Sequence, residues 1–371
     1  MNELSSVETN SITHRRRFVT SLGAAALALA CCASLVQAEG HFEQINLVSD
    51  VAGVAQIQDP ALVNAWGLSS SPSSPFWVSD AGTHVSTLYA VTNDASDNEH
   101  VVKQALTVSI PGLGIVTGQL FNNTTGFNSN LFLFVSVDGV ISGWRGALGT
   151  NAEILTVRSN AAYTGVTLAG TTNAPLLLAA NFREGTVDVF NSAMQLVAQY
   201  RDPHAPDDYA PFNVQSVNDL IFVTYAKVGP DGRDLPGRGH GFIDVLNPAN
   251  GHFHRFATGS DAGGKLHEIS SPWGIALAPD SFGAHAGELL VGNFGSGTIM
   301  TFDANGKFRG FLKGEHDGAI TIDGLWALRV GNGGRGGDAD AVYFTAGPDH
   351  ESHGLFGSLY PEEKKHGHKG H

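Results

Sequence analysis

Residues 346–354 read AGPDHESHG and carry Asp349, His350, Glu351 and His353 in one short segment between two apolar runs. Carboxylate and imidazole are the groups that exchange protons or ligate metals near neutral pH. In an extended loop Glu351 and His353, one residue apart, project to the same side as an acid/base pair or as two metal ligands. A second segment, Tyr225-Ala226-Lys227, ends an apolar run and leads into a Gly/Pro/Asp-rich stretch up to His240, which places a phenol and an amine beside a long polar loop. Tyr225, Lys227, Asp349, His350, Glu351 and His353 are therefore the candidate ligand-binding residues. Asp323, Glu351 and His353 are the candidate catalytic set. A solvated acidic loop without chemistry accounts for the same composition at 346–354.

Positioning such groups falls to a repeated unit. Residues 271–303 contain three apolar runs separated by polar, Gly-containing turns, and an antiparallel meander of that kind needs copies of itself to bury its faces. Residues 64–89 repeat the pattern, with Trp66-Gly67 matching Trp273-Gly274 and Asp80 matching Asn293. Weaker copies span 116–144, 163–190, 211–246 and 323–359. Gly67, Gly118, Gly165, Asn213, Gly274 and Ala327 mark the six units at steps of 51, 47, 48, 61 and 53 residues, each long enough for four strands. The expected fold is all-β, a six-bladed β-propeller of four-stranded antiparallel blades over residues 39–360. Outer strands are expected at 105–110, 153–157, 194–200, 253–258 and 307–312. The sixth unit lacks one, and residues 42–48 alternate as a strand should. The spacing predicts that this N-terminal strand pairs with residues 354–359 and closes the ring, removing an exposed edge.

Equivalent positions within the repeat carry smaller expectations. Asp80, Asn181 and Asn293 follow second strands and read as turn makers, whose side chains bond local backbone. Trp66, Trp273 and Trp326 recur at one place and read as packing between blades. Inner strands begin at Asn64, Thr117, Thr164, Asn213, Ser271 and Asp323. Asn64, Asn213 and Asp323 are weak candidates for a divalent cation such as Ca²⁺, because one carboxylate with two amides is less charge than a water-activating site employs. No cofactor is otherwise indicated.

Residues 1–38 combine Arg15, Arg16 and Arg17 with an apolar Ala/Leu run and a Val36-Gln37-Ala38 end, the pattern of a cleaved export signal. Arg-Arg followed by one residue and Phe18-Val19 resembles a twin-arginine signal, with an ordinary secretory signal as the alternative. Both cysteines, Cys31 and Cys32, lie inside this segment. Cleavage after Ala38 leaves no thiol for a disulfide or a metal, whereas acylation at Cys31 is the competing, weaker reading. Removing two acids and three bases takes the net charge from −14 to −15, which argues against nucleic acid as a partner. The mature chain is expected to be a monomer in the periplasm or outside a bacterial cell, without a transmembrane span. Residues 361–371 form a His/Lys-rich tail in which His366, His368 and His371 can hold a transition metal loosely; a disordered tail is the plainer expectation.

The segments NAWGLS (64–69), DYAPFNVQ (208–215), VTYAK (223–227), SPWGIA (271–276), VGNFGSG (291–297), DGLWAL (323–328) and YFTAGPDHESHGLFG (343–357) resemble an uncharacterised bacterial exported family of NHL-like propellers. Some of its members end in a PEP-CTERM sorting signal. The resemblance implies the propeller fold and export, and carries no activity. This chain departs from the sorted members in having no apolar helix and basic cluster after Gly354. Streptogramin-lyase-like propellers add an enzyme analogy at the level of fold alone.

These observations favour an exported propeller that binds a small molecule, glycan or protein at one mouth of the ring, the one bearing Lys227 and residues 346–354. A metal-dependent lactonase-type hydrolase or lyase using Asp323, Glu351 and His353 is the alternative. A structural envelope or matrix protein is the third class.

Overall fold

A computed structural model describes residues 40–259 and 268–362. The apolar runs form six sheets, five of them four-stranded antiparallel meanders. The inner strands are Ala65–Ser69, Val116–Phe121, Tyr163–Thr171, Tyr209–Val217, Pro272–Leu277 and Leu325–Val330. Each packs on the next and the sixth packs on the first, so the ring is closed. The outer strands lie close to the expected places, at Glu153–Val157, Leu196–Tyr200, His252–Ala257 and Phe308–Phe311; in blade one the outer strand starts earlier, at Glu99–Ser109.

The recurring glycine has a steric cause. A Cβ on Gly67 would stand 2.4 Å from the Thr117 carbonyl oxygen, and one on Gly274 would stand 2.4 Å from that of Trp326. At these two glycines the neighbouring inner strands leave no room for a side chain, whereas Asn213 and Ala327 occupy the equivalent place in blades four and six; equivalent residues sit side by side, so the six strands run the same way along the channel. Their amino-terminal ends form one mouth and their carboxyl-terminal ends form the other.

Closure follows the expected route with a small extension. Phe42–Ser49 pairs antiparallel with Leu355–Pro361, from Phe42 opposite Pro361 to Ser49 opposite Leu355, with a bulge between Asn46 and Val48. Ile57–Gln58 adds a fifth, parallel strand to that blade, which the alternation did not indicate. Residues 1–38 and the tail histidines His366, His368 and His371 lie outside the described residues. Among the described residues no helix is long and apolar enough to cross a membrane.

The repeated tryptophans meet at the centre of the ring. Trp326 is stacked on Trp66 at 3.6 Å and on Phe294 at 3.9 Å between ring centroids, and Trp273 meets both indoles edge-on. Phe212 joins the cluster. All three indoles are buried, which makes them packing residues as the repeat suggested. Asn181 and Asn293 accept hydrogen bonds from Ala162 and Ser270 at 3.1 and 3.0 Å, tying each hairpin to the loop that enters its blade. Asp80 accepts from the Thr87 N–H, and complete burial pushes its carboxyl well above the ordinary range.

Candidate functional site

The mouth at the amino-terminal ends of the inner strands holds the residues singled out from the sequence. Residues 346–354 are not extended there. Pro348–Glu351 makes one turn in which Asp349, His350 and Glu351 have φ of 53°, 55° and 67°, the left-handed region that costs non-glycine residues energy. Glu351 and His353 consequently point to different partners, and the expected acid/base pair is not formed. Glu351 Oε2 accepts a 2.9 Å hydrogen bond from Asn64 Nδ2, and Oε1 pairs with Arg233 from the blade-four insertion. Asn64 Oδ1 in turn accepts from Trp326 Nε1 at 2.9 Å. His353 instead bonds Asp50 Oδ2 through Nδ1 at 2.8 Å, and that carboxylate raises the imidazole above its ordinary value.

Asp323 and Lys227 are likewise engaged. Asp323 Oδ2 accepts the Asp349 N–H at 2.8 Å. Lys227 Nζ lies 3.2 Å from Asp208 Oδ2 and 5.9 Å from the Tyr209 ring centroid. Tyr225 is not a mouth residue at all: it is 1% exposed and stacked on Phe242 at 4.3 Å, and burial raises its hydroxyl. Asp349 and His350 are exposed. Of the weak metal candidates, Asn64 spends its oxygen on Trp326, and Asn213 Oδ1 accepts the Val214 N–H. Among the described residues no three His, Cys, Asp or Glu side chains are grouped as a cation site.

Arg233 and Asp234 belong to this mouth and were not singled out beforehand, because their loop breaks the repeat and carries no register. Asp234 Oδ2 is buried without a hydrogen bond beside the Ser271 hydroxyl. Burial raises its carboxyl to about 6; Glu351 adds to the rise, while Ser271 and Arg233 oppose it. A raised carboxyl stabilises the fold at low pH, and that contribution is lost as pH rises through about 6. Asp234→Asn should therefore change little near pH 4 and stabilise by about 1 kcal/mol at pH 8, after allowance for partial exposure. Thermal unfolding at the two pH values checks this, and an equal difference at both would refute it.

These contacts draw the blade-four insertion and the blade-six turn together over the aromatic cluster. Open space lies beyond the cluster, towards the other mouth. A cavity of about 510 Å³ there is lined from all six blades, chiefly by the later residues of the inner strands, such as Leu68, Gln119, Thr167, Gln215 and Arg329. Trp273 is shared by the aromatic cluster and the cavity wall. Gln119 is 6% exposed; its Nε2 donates to the Gly67 and Trp77 carbonyls, and its Oε1 has no partner. Gln215 Nε2 donates to the Ile275 carbonyl at 2.5 Å. These residues sit on rigid strands, which hold a binding surface more accurately than loops do. Nothing in the sequence marks these residues, because they keep the repeat and regular positions look like packing.

No family model matches the chain. Two uncharacterised proteins of Acanthamoeba polyphaga mimivirus, R648 and L690, are each 27% identical to it, over 335 and 337 residues. Those matches cover 85% of this chain and 80% and 85% of the relatives. The soluble aldose sugar dehydrogenase of Escherichia coli is 12% identical with a TM-score of 0.51, covering 86% of this chain and 100% of that one, a likeness of fold alone. These viral relatives do not bear on the bacterial origin or the sorting signal suggested by the resemblance.

Proposed function

We propose that the chain is an exported binding module whose site is the channel cavity, and that it takes a small hydroxylated molecule such as a glycan unit. The observation that carries this reading is the cavity itself. It lies on the ring axis, each blade contributes to its wall, and amide and hydroxyl side chains stand beside one indole there. Such a mixture of planar amides and hydroxyls suits a sugar better than an apolar ligand. Nothing in the placement of Asp323, Glu351 and His353 favours the hydrolase alternative, since each is held by a separate partner.

The test is a thermal-shift screen of neutral sugars and sugar acids against the chain starting at Glu39. Ser216 is exposed at the cavity rim, so Ser216→Trp should fill the opening and abolish the shift while leaving the melting temperature of the free protein nearly unchanged. A shift that survives this substitution would place the site elsewhere. The export part of the reading rests on residues 1–38. Mass spectrometry of the protein recovered from the periplasm or medium of a bacterial host should give an amino terminus near Glu39, and an acylated Cys31 or a cytoplasmic full-length chain would count against it.

A further inference from the structure

Arg329 is the one charged side chain among the described residues lining the cavity. It stands near the end of the sixth inner strand, partly buried. Its Nε donates to Ser70 Oγ at 3.2 Å and one terminal nitrogen, Nη2, donates to the Ser70 carbonyl at 3.1 Å. The other terminal nitrogen, Nη1, makes no hydrogen bond to a described residue, and no described carboxylate pairs with the guanidinium. The surrounding chain carries a net charge of −14, so a lone cation at the axis is not the product of a generally basic surface. Burial alone pulls its proton affinity down to about 10, with no carboxylate acting in the other direction.

A guanidinium has five N–H donors in a planar fork, and a partly buried one without a counter-charge is matched best by a carboxylate or phosphate. Ser70 fixes one edge of this fork and leaves the rest of it to the cavity. Neutral polar groups line the same cavity: Gln215 and Thr167 from blades four and three, and Asn332 and Ser71 beside Arg329 and Ser70. Asn332 is itself held in place by bonds from Nδ2 to the Ser71 and Ser74 carbonyls at 2.8 and 2.9 Å. The rim on the Arg329 side is therefore rigid, and the Asn332 amide is fully engaged, since its Oδ1 accepts the Gly334 and Gly336 N–H groups at 3.0 and 2.9 Å.

We propose that the channel cavity binds a sugar acid, a uronic or aldonic acid, with its carboxylate on the unused donors of Arg329 and its hydroxyls on the neutral amides and hydroxyls of the cavity wall. The proposal rests on the channel reading above and adds to it the charge and class of the ligand. Binding involves no covalent step.

Isothermal titration calorimetry of the chain from Glu39 with galacturonate, its methyl ester, galactose and inorganic phosphate tests it. Galacturonate should bind at least about tenfold more tightly than the uncharged ester or galactose, as expected for a charge-assisted hydrogen bond. Arg329→Gln should bring galacturonate down to the level of the ester, and Arg329→Lys should fall between. The comparison of acid with ester uses the unaltered protein and stands even if Arg329→Gln is poorly folded. Equal affinity for acid and ester would overturn the anion assignment while leaving the cavity as a sugar site. Phosphate binding as tightly as galacturonate would overturn the sugar-acid class. Galacturonate binding that persists in Ser216→Trp would overturn the channel reading itself, and so would no binding by any of the four.

Discussion

Deleting residues 40–49 is expected to abolish cooperative unfolding and to produce self-association. The strand Phe42–Ser49 buries Phe42, Leu47 and Val48, the last two fully, against the sixth blade. Burial of three such side chains is worth about 5–8 kcal/mol, comparable to the whole stability of an ordinary domain. Its removal also leaves the backbone of Leu355–Pro361 without a partner on one side, and an apolar open edge recruits another chain. Leu47→Asp should reproduce most of the loss by placing a charge at a fully buried site, whereas Gln44→Asp on the exposed side of the same strand should be nearly neutral. Thermal unfolding followed by size-exclusion chromatography reads both effects. An unchanged transition and a single monomeric peak after the deletion would mean that the ring does not depend on this strand.

The second large effect is expected at Trp326. Its indole is sandwiched between Trp66 and Phe294, and its Nε1 supports Asn64, which in turn holds Glu351. Trp326→Ala should cost about 4 kcal/mol through the cavity left behind. It also leaves the Asn64 oxygen without its donor, which adds about 1 kcal/mol or more. For a domain of this size the melting temperature should fall by about 10 °C. Trp144, partly exposed on the second blade, is the comparison: Trp144→Ala should cost less than half as much. Equal losses for the two would remove the central aromatic cluster from its place in the account.

The fold was legible because the repeat is a consequence of packing. Trp66-Gly67, Trp273-Gly274 and Trp326-Ala327 recur because each inner strand meets the next at a distance that excludes a large residue at the second position, and because the indoles converge on one centre. The closing strand was legible because the sixth unit lacks an outer strand while residues 42–48 alternate. The candidate site was harder to read, for two reasons. In residues 346–354 the left-handed conformation of three successive residues sends Glu351 inwards to Asn64 and turns His353 out to Asp50, and no local pattern encodes that. Arg329 and Gln119 lie in regular strands, where sequence position explains them as repeat members. Their role as cavity wall arises only when six distant strands are brought around one axis.

The most direct test of the channel reading uses the five tryptophans as reporters. In 5-fluorotryptophan-labelled protein, resonances are assigned by single replacement with Phe, and the sugar or sugar acid giving the largest thermal shift is titrated in. Trp273 lines the cavity, while Trp144 packs against Trp77 in the outer part of the ring. The Trp273 fluorine resonance should move with saturable dependence on ligand while the Trp144 resonance stays in place; saturable binding that leaves Trp273 unmoved would rule out the channel as the site.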